Sequence, residues 1–404
     1  MSATDTIPHR FIGLDIHKLY FVATGVNKDL KQIYGPHQEP IRHLRQWAEK
    51  TLNKNDAIAV EMTTNTYLFY DTLKPFVHSV TVVHPPHVAL IVRTQVKTDK
   101  KAALTLAQLH ASGLLPGVWI PSVEVRELRA LIAHRQKMVR LTTITKNRLH
   151  SLLHRHGYDV PEGNLLFKPE MRFYWEGLLV SPLEKLCMVS DLDTFEFSHK
   201  QVEQAEECLK QISANDERMP LLIQIVGIGY LSAISILAAI GEIDRFPTAK
   251  HLVGYAGLGS SVHDSGMSYT TGRITKTGRR DLRKAMVDAA NHASKSHPHW
   301  KIEYARLSNH LGRSKAIVAI ARKLLVVVWH VLSKEVADRH AYAPQVARGM
   351  FAYAHRIHAR NLPHGQTALI FTRNQLDRLK IGRDIQHIPW GAKKFKLPDS
   401  ALPG

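Results

Sequence analysis

One helical pattern runs unbroken from about Ser122 to His156. Apolar Val125, Leu128, Ile132 and Val139 recur at helical spacing, with Arg126, Arg129, Arg135, Arg140, Lys146 and Arg148 between them. Ser122, directly after Pro121, is a candidate N-cap. Such a helix is longer than an ordinary domain needs, so it reads as a coiled-coil or inter-protomer element. A second helical stretch, roughly Ser198 to Ile212 and rich in Glu and Gln, is expected to return antiparallel to it, with 157–197 irregular. The pair sets off a first region, 8–118, from the helical region 119–215, a third region at 216–338 and a basic extension at 339–404.

Before that helix, strands and helices alternate. FIGLDI (11–16) reads as a buried strand, and Phe21 to Val26 as its hairpin partner. AIAVE (57–61) is a short apolar strand ending on an acid, and VTVVHP (80–85) is another. Helices are predicted around Pro40 to Lys54, over Tyr67 to Val77 and from near Thr98. This order predicts an α/β sheet layer. Asp15 lies in the first strand, Glu61 closes a later one and Asp99 opens a helix, so three distant stretches converge at one end of the sheet.

Charge gives those acids a meaning. The chain carries 54 Lys+Arg against 35 Asp+Glu, a formal net charge of +19, which favours a polyanionic partner through release of its counterions. Clustered acids would repel phosphate unless a divalent cation sat between them. Together these features point to metal-dependent chemistry on nucleic acid. Two cysteines, Cys187 and Cys208, with no CxxC, argue against a disulfide framework or a cysteine-rich zinc site and fit a reducing cytoplasm. The first ten residues, MSATDTIPHR, hold no apolar signal core, and the greasiest run, Leu324 to Leu332, is too short to span a bilayer, so no membrane is expected. The twenty-five histidines are scattered without an HExxH and read as surface or nucleic-acid contacts.

Residues 219–256 place Gly227-Ile228-Gly229 between two apolar helices, the pattern of a helix-hairpin-helix turn. Glycine allows close approach to a phosphate, and the next helix offers N–H groups and its positive dipole end, although many helix turns use glycine without binding anything. A Gly/Ser-rich loop follows, then Arg273, Lys276, Arg279, Arg280, Arg283 and Lys284. Arg280, Arg283 and Lys284 share one helical face. A solvated charge run is the plainer reading, and a phosphate cradle is the functional one. The tail beyond residue 340 is basic and carries Trp390 and Phe395, which could stack on RNA bases or belong to a partly disordered segment.

FIGLDIHK, AIAVEMT, KTDKKAALTLA, VGIGYLSAISILAAIGEIDRF and GYAGLG…SG…GRITKTGRRDLRKAMVDAA together resemble the IS110 family of insertion-sequence transposases, DEDD recombinases that include the Piv-type invertases. The resemblance covers roughly residues 10–335. It implies an RNase H-like, RuvC-like α/β N-terminal domain, a long helical coiled-coil insertion, and a mostly α C-terminal transposase domain with a helix-hairpin-helix. It further implies four acids holding magnesium (Mg2+). Asp15 and Glu61 match the first two and Asp99 the third, whereas the fourth position is Ala102. Alanine has no lone pair to offer, so weakened metal binding and little strand cleavage are expected, whether the copy is naturally degenerate or engineered. The family's nucleophilic serine falls on Ser265, with Ser260, Ser261 and Ser268 as neighbours, and would form a transient phosphoserine link to DNA, with Lys276 or Arg279 steadying the phosphate. A structured guide, the bridge RNA, and a dimer or tetramer sharing active sites are implied too. Lys97, Lys100, Lys101 and the arginines of 122–156, among them Arg126, Arg129 and Arg148, are the candidate backbone contacts. A junction-resolving nuclease would leave the serine loop unexplained. A silent DNA- or RNA-binding protein stands as the non-enzymatic alternative.

Overall fold

The computed structural model describes residues 8–91, 98–160, 165–265 and 268–402, with backbone alone over 262–265 and 268–271. Two compact units divide it, Met1–Pro121 and Ser122–Gly404.

The first unit is a five-stranded sheet with helices on it. Strands β1 (Arg10–Ile16), β2 (Tyr20–Val26), β3 (Gln32–Pro40), β4 (Asp56–Glu61) and β5 (Ser79–Val83) lie in the order β3-β2-β1-β4-β5. The pairs β1–β2 and β2–β3 are antiparallel, whereas β1–β4 and β4–β5 are parallel. The helices are α1 (Leu44–Thr51), α2 (Thr66–Leu73), α3 (Pro85–Ile91) and α4 (Asp99–Ala111). Strand β3 went unread in the sequence because it is a mostly exposed edge strand interrupted by Gly35-Pro36. The helix expected over Pro40 to Lys54 is shorter: a 3-10 turn at Ile41–His43 leads into α1.

One face of the sheet packs Ile12, Leu14 and Ile16 with Phe21, Trp47, Ile58, Phe69 and Leu73. The other face receives α4. Residues two apart in a strand point the same way, so Phe11, Gly13 and Asp15 form one row. Helix α4 lies along that row, with His110 edge-on to Phe11 at 5.6 Å between ring centroids. A Cβ at Gly13 would stand 2.0 Å from the Ala103 carbonyl oxygen and 2.6 Å from the Ala107 nitrogen. Only glycine lets the helix backbone sit this close to the strand.

The second unit opens with α5 (Val123–Arg155), 33 residues and about 50 Å long. The Ser122 hydroxyl accepts from the Val125 N–H at 3.4 Å, as the cap reading expected. After the short α6 (Arg172–Gly177), α7 (Pro182–Ala214) returns antiparallel, pairing Arg148 with Asp191, Thr142 with Ser198 and Arg135 with Glu206. The long helix therefore has an intrachain partner. Residues 182–197, expected to be irregular, are the first half of that partner. Its start carries a sequence signal of its own: Ser181 caps it, Pro182 takes the first turn, and Ser181 and Glu184 bond reciprocally at 3.3 and 3.2 Å.

The remainder forms one helical core from α8 (Met219–Ile223), α9 (Tyr230–Ile240), α10 (Ala249–Tyr255), α11 (Arg280–Ser296), α12 (Pro298–Leu311), α13 (Arg313–Lys334), α14 (Ala343–Ile357) and α15 (Ala368–Arg378). Strands β6 (Ser260–Ser265) and β7 (Ser268–Ile274) form an antiparallel hairpin where a Gly/Ser-rich loop was expected; Tyr269, Thr270, Thr271 and Ile274 are residue types that favour a strand. The run Leu324 to Leu332 lies within α13, a 22-residue helix that is long and apolar enough to cross a bilayer by length and composition only, a test that a buried core helix also passes. Ile320, Leu324, Leu325, Val328 and Val331 are buried in this core, and Arg322 and Lys323 stand exposed mid-helix. The tail is folded as well: β8 (His387–Trp390) and β9 (Lys393–Lys396) pair, and Trp390 and Phe395 pack on Phe351 at 5.3 and 5.2 Å, which answers the disordered-tail alternative.

Candidate metal and nucleic-acid site

At the end of β1 the row Gly13, Asp15 continues to His17, the first residue of the turn into β2, where the His17 N–H donates to the Tyr20 carbonyl at 2.9 Å. Because α4 is held down over Gly13, its first residue, Asp99, arrives beside Asp15 and His17. One ligand atom from each of these three residues lies within 4.8 Å of the others. The His17 Nε2 is 3.2 Å from Asp99 Oδ2 and 3.5 Å from Asp15 Oδ2. It is shut off from solvent yet makes no properly directed hydrogen bond. The His17 ring stacks on Tyr20 with centroids 4.6 Å apart. The Tyr20 hydroxyl in turn donates to Asp99 Oδ2 at 2.9 Å, and this hydrogen bond pushes the phenol's pKa up. The Asp15 and Asp99 side chains are 20% and 41% exposed, open enough for an ion to reach.

Glu61 reaches the same end of the sheet. In the parallel β1–β4 ladder Leu14 pairs with Val60, so Glu61 follows on β4 as Asp15 follows on β1, one strand spacing of about 4.8 Å away. It stands outside the three-residue group. Ala102, one turn into α4 from Asp99, is half-buried, and its N–H caps back to the Thr98 carbonyl at 2.8 Å. Two carboxylates with an orphaned buried imidazole nitrogen between them fit a divalent cation. His17 is the member of this group that sequence reasoning missed; its spacing of two from Asp15, just past the end of β1, was the available signal.

The expected nucleic-acid residues separate into groups. Lys100 and Lys101 are exposed on α4, and Lys97 lies outside the described residues. Arg129 donates to the carbonyls of Ala238 and Ala239 at 2.7 and 2.9 Å, closing the last turn of α9. Arg126 donates to the Ser122 carbonyl at 3.4 Å, and Arg148 pairs with Asp191 at 3.1 Å while staying 61% exposed. Gly227 has φ +84°, and a Cβ there would meet the Ala289 carbonyl oxygen at 2.3 Å, so its lack of a side chain serves the close approach of α11. Gly229 has open space around it and N-caps α9, which carries no side-chain cap. Arg279 pairs with Asp281 at the start of α11, and Arg283 donates to the Ala256 carbonyl at 2.8 Å. Arg273, Lys276, Arg280 and Lys284 are exposed. Ser265 ends β6 opposite Ser268, and its side chain lies outside the described residues.

Comparison with known proteins adds two profile matches: one described as a transposase over residues 12–157, the other as the transposase IS116/IS110/IS902 family over 219–305. The chain is 24% identical over 336 residues to the transposase for insertion sequence element IS1111A of Coxiella burnetii, covering 82% of this chain and 91% of that one. It is 26% identical over 337 residues to the pilin gene-inverting protein of Moraxella bovis, covering 80% and 95%.

Proposed function

Because this chain belongs to the IS116/IS110/IS902 family of transposases, we propose that it cuts and exchanges DNA strands at the ends of an insertion sequence, using a metal-binding acid cluster and a serine nucleophile. The observation that carries this reading is the meeting of Asp15, His17 and Asp99 at one end of the sheet. The strand order, three antiparallel strands followed by two parallel ones, supports an RNase H-like, RuvC-like core at 8–118. Asp15, Glu61 and Asp99 would hold the cation, Mg2+ in the family's usual chemistry. A bound divalent cation supplies charge stabilisation at phosphate oxygens.

Ser265 is the proposed nucleophile. Its oxygen forms a bond to phosphorus while the bond from phosphorus to the sugar oxygen breaks; the hydroxyl proton is lost and the departing oxygen gains one. The exposed cations Arg273, within β7, and Lys276, Arg280 and Lys284, which follow it, would hold the DNA backbone. The helical region 119–215 would serve assembly as a dimer or tetramer. With the chain's +19 charge, a guiding bridge RNA would find a cationic surface here, with specificity delegated to base pairing.

Ala102 stands where the family's fourth acid would be, so cleavage is impaired in this copy. The test is strand cleavage of element-end DNA in Mg2+, with copurified RNA present. Ala102→Asp should raise it, and adding Ser265→Ala should abolish the covalent protein–DNA species. No gain from Ala102→Asp, or a persistent adduct without Ser265, would overturn the reading.

A further inference from the structure

We propose that His17 is itself a metal ligand, filling the coordination position left empty by Ala102 and turning an all-oxygen site into one with a nitrogen donor that prefers Mn2+ to Mg2+. This rests on the metal reading above and goes beyond it in ligand identity and ion preference. Three observations converge. The His17 Nε2 is shut off from solvent and lacks a directed hydrogen bond, whereas buried polar atoms in proteins are ordinarily partnered. It faces the two carboxylates at 3.2 and 3.5 Å, within a group compact enough for one ion. Its ring orientation is set by the Tyr20 stack, and Tyr20 also holds Asp99, so one residue positions two donors. Outer partners of this kind fix ligand rings in metal sites.

The chemistry of preference follows from the donors. Mg2+ demands oxygen ligands in near-ideal octahedral geometry, whereas imidazole nitrogen suits first-row transition ions. Oxygen-rich sites with one nitrogen are open to Mn2+, and they discriminate against Mg2+ because the nitrogen adds little to its binding.

The experiment is Mn2+ and Mg2+ titration of the purified full chain by calorimetry, with pulsed electron paramagnetic resonance on the Mn2+ form to read coupling to ligand 14N. The wild type should bind Mn2+ about tenfold or more tighter than Mg2+ and show 14N coupling. His17→Ala should remove that coupling and weaken Mn2+ binding by about tenfold or more. The double variant His17→Ala/Ala102→Asp should regain binding of both ions with no 14N coupling, an outcome that a merely structural role for His17 would not produce. Circular dichroism establishes that each variant is folded, and His17→Gln offers a second substitution of similar size. Mn2+ binding abolished by Asp15→Asn and Asp99→Asn but showing no 14N coupling in the wild type would overturn the His17 assignment and leave the acid cluster standing. No binding of either ion would overturn both.

Discussion

Replacing Gly13 by alanine is the sharpest test of how the site is assembled. The added Cβ would fall 2.0 Å from the Ala103 carbonyl oxygen, 2.6 Å from the Ala107 nitrogen and 2.9 Å from the Leu106 Cβ, two of them backbone atoms with no rotamer to yield. Restoring ordinary contact requires α4 to back away from β1 by roughly 1 Å or more, against the tight packing of protein interiors. Overpacking of this kind costs about 1–3 kcal/mol, which for a unit of this size lowers the melting midpoint by about 4–12 °C. Gly25→Ala is the matched control, because its Cβ would meet only side-chain carbons, the nearest Tyr34 Cβ at 3.1 Å, while gaining the same backbone entropy. The consequence for the site is geometric. Asp99 rides on the displaced helix, so its 3.2 Å approach to His17 opens and Mn2+ affinity falls together with stability. Scanning calorimetry and ion titration read the two effects. A Gly13→Ala variant that melts with the wild type and binds Mn2+ equally well would show that α4 does not press on β1 and that the close approach plays no part in placing Asp99.

Three further outcomes are expected. Burial holds the His110 pKa down at about 4 from an ordinary 6.5, so the native state requires the neutral ring; its stabilisation is complete above pH 6.5 and is lost as pH falls towards 4, a swing of roughly 3 kcal/mol. Denaturant midpoints against pH should show that slope, and His110→Leu should flatten it. Arg129→Ala should cost about 1–3 kcal/mol by taking the donor from the Ala238 carbonyl and leaving the Ala239 carbonyl to the Tyr255 hydroxyl at 3.3 Å, with the salt dependence of DNA binding unchanged; a stable variant with a reduced salt slope would reverse that assignment. Arg280→Ala/Lys284→Ala, both exposed, should leave stability alone and lower the slope of log K against log salt by about 2 in anisotropy titrations.

Which parts of this were legible follows from what each residue's neighbours are. Asp15 and Asp99 could be brought together from the sequence because a buried strand and a capped helix start are local signals, and an α/β layer then puts strand ends and helix starts on one edge. The edge strand β3 has no such signal: a strand with one neighbour needs no apolar face, and Gly35-Pro36 interrupts what alternation it has. The basic residues show a different limit. A sequence gives arginine a charge and leaves its geometry open, so Arg129, which closes the end of α9, and Arg148, which pairs with α7, look alike within one helical run.

Glycine makes the same point more sharply. Gly227 is recognisable as special, and the tempting cause is a phosphate, but the atom it makes room for is the Ala289 carbonyl of α11. Gly13 carries no such mark in the sequence, although a Cβ there would press on the backbone of the helix that carries Asp99. With the strand register in hand, the spacing of two through Gly13, Asp15 and His17 becomes a single device: the first residue admits the helix, the second meets the carboxylate that the helix brings, and the third closes the group from the turn. Read as separate letters, the histidine is one of twenty-five. Placed beside Asp15 and Asp99, it is the third member of a group that could hold a metal ion among the described residues.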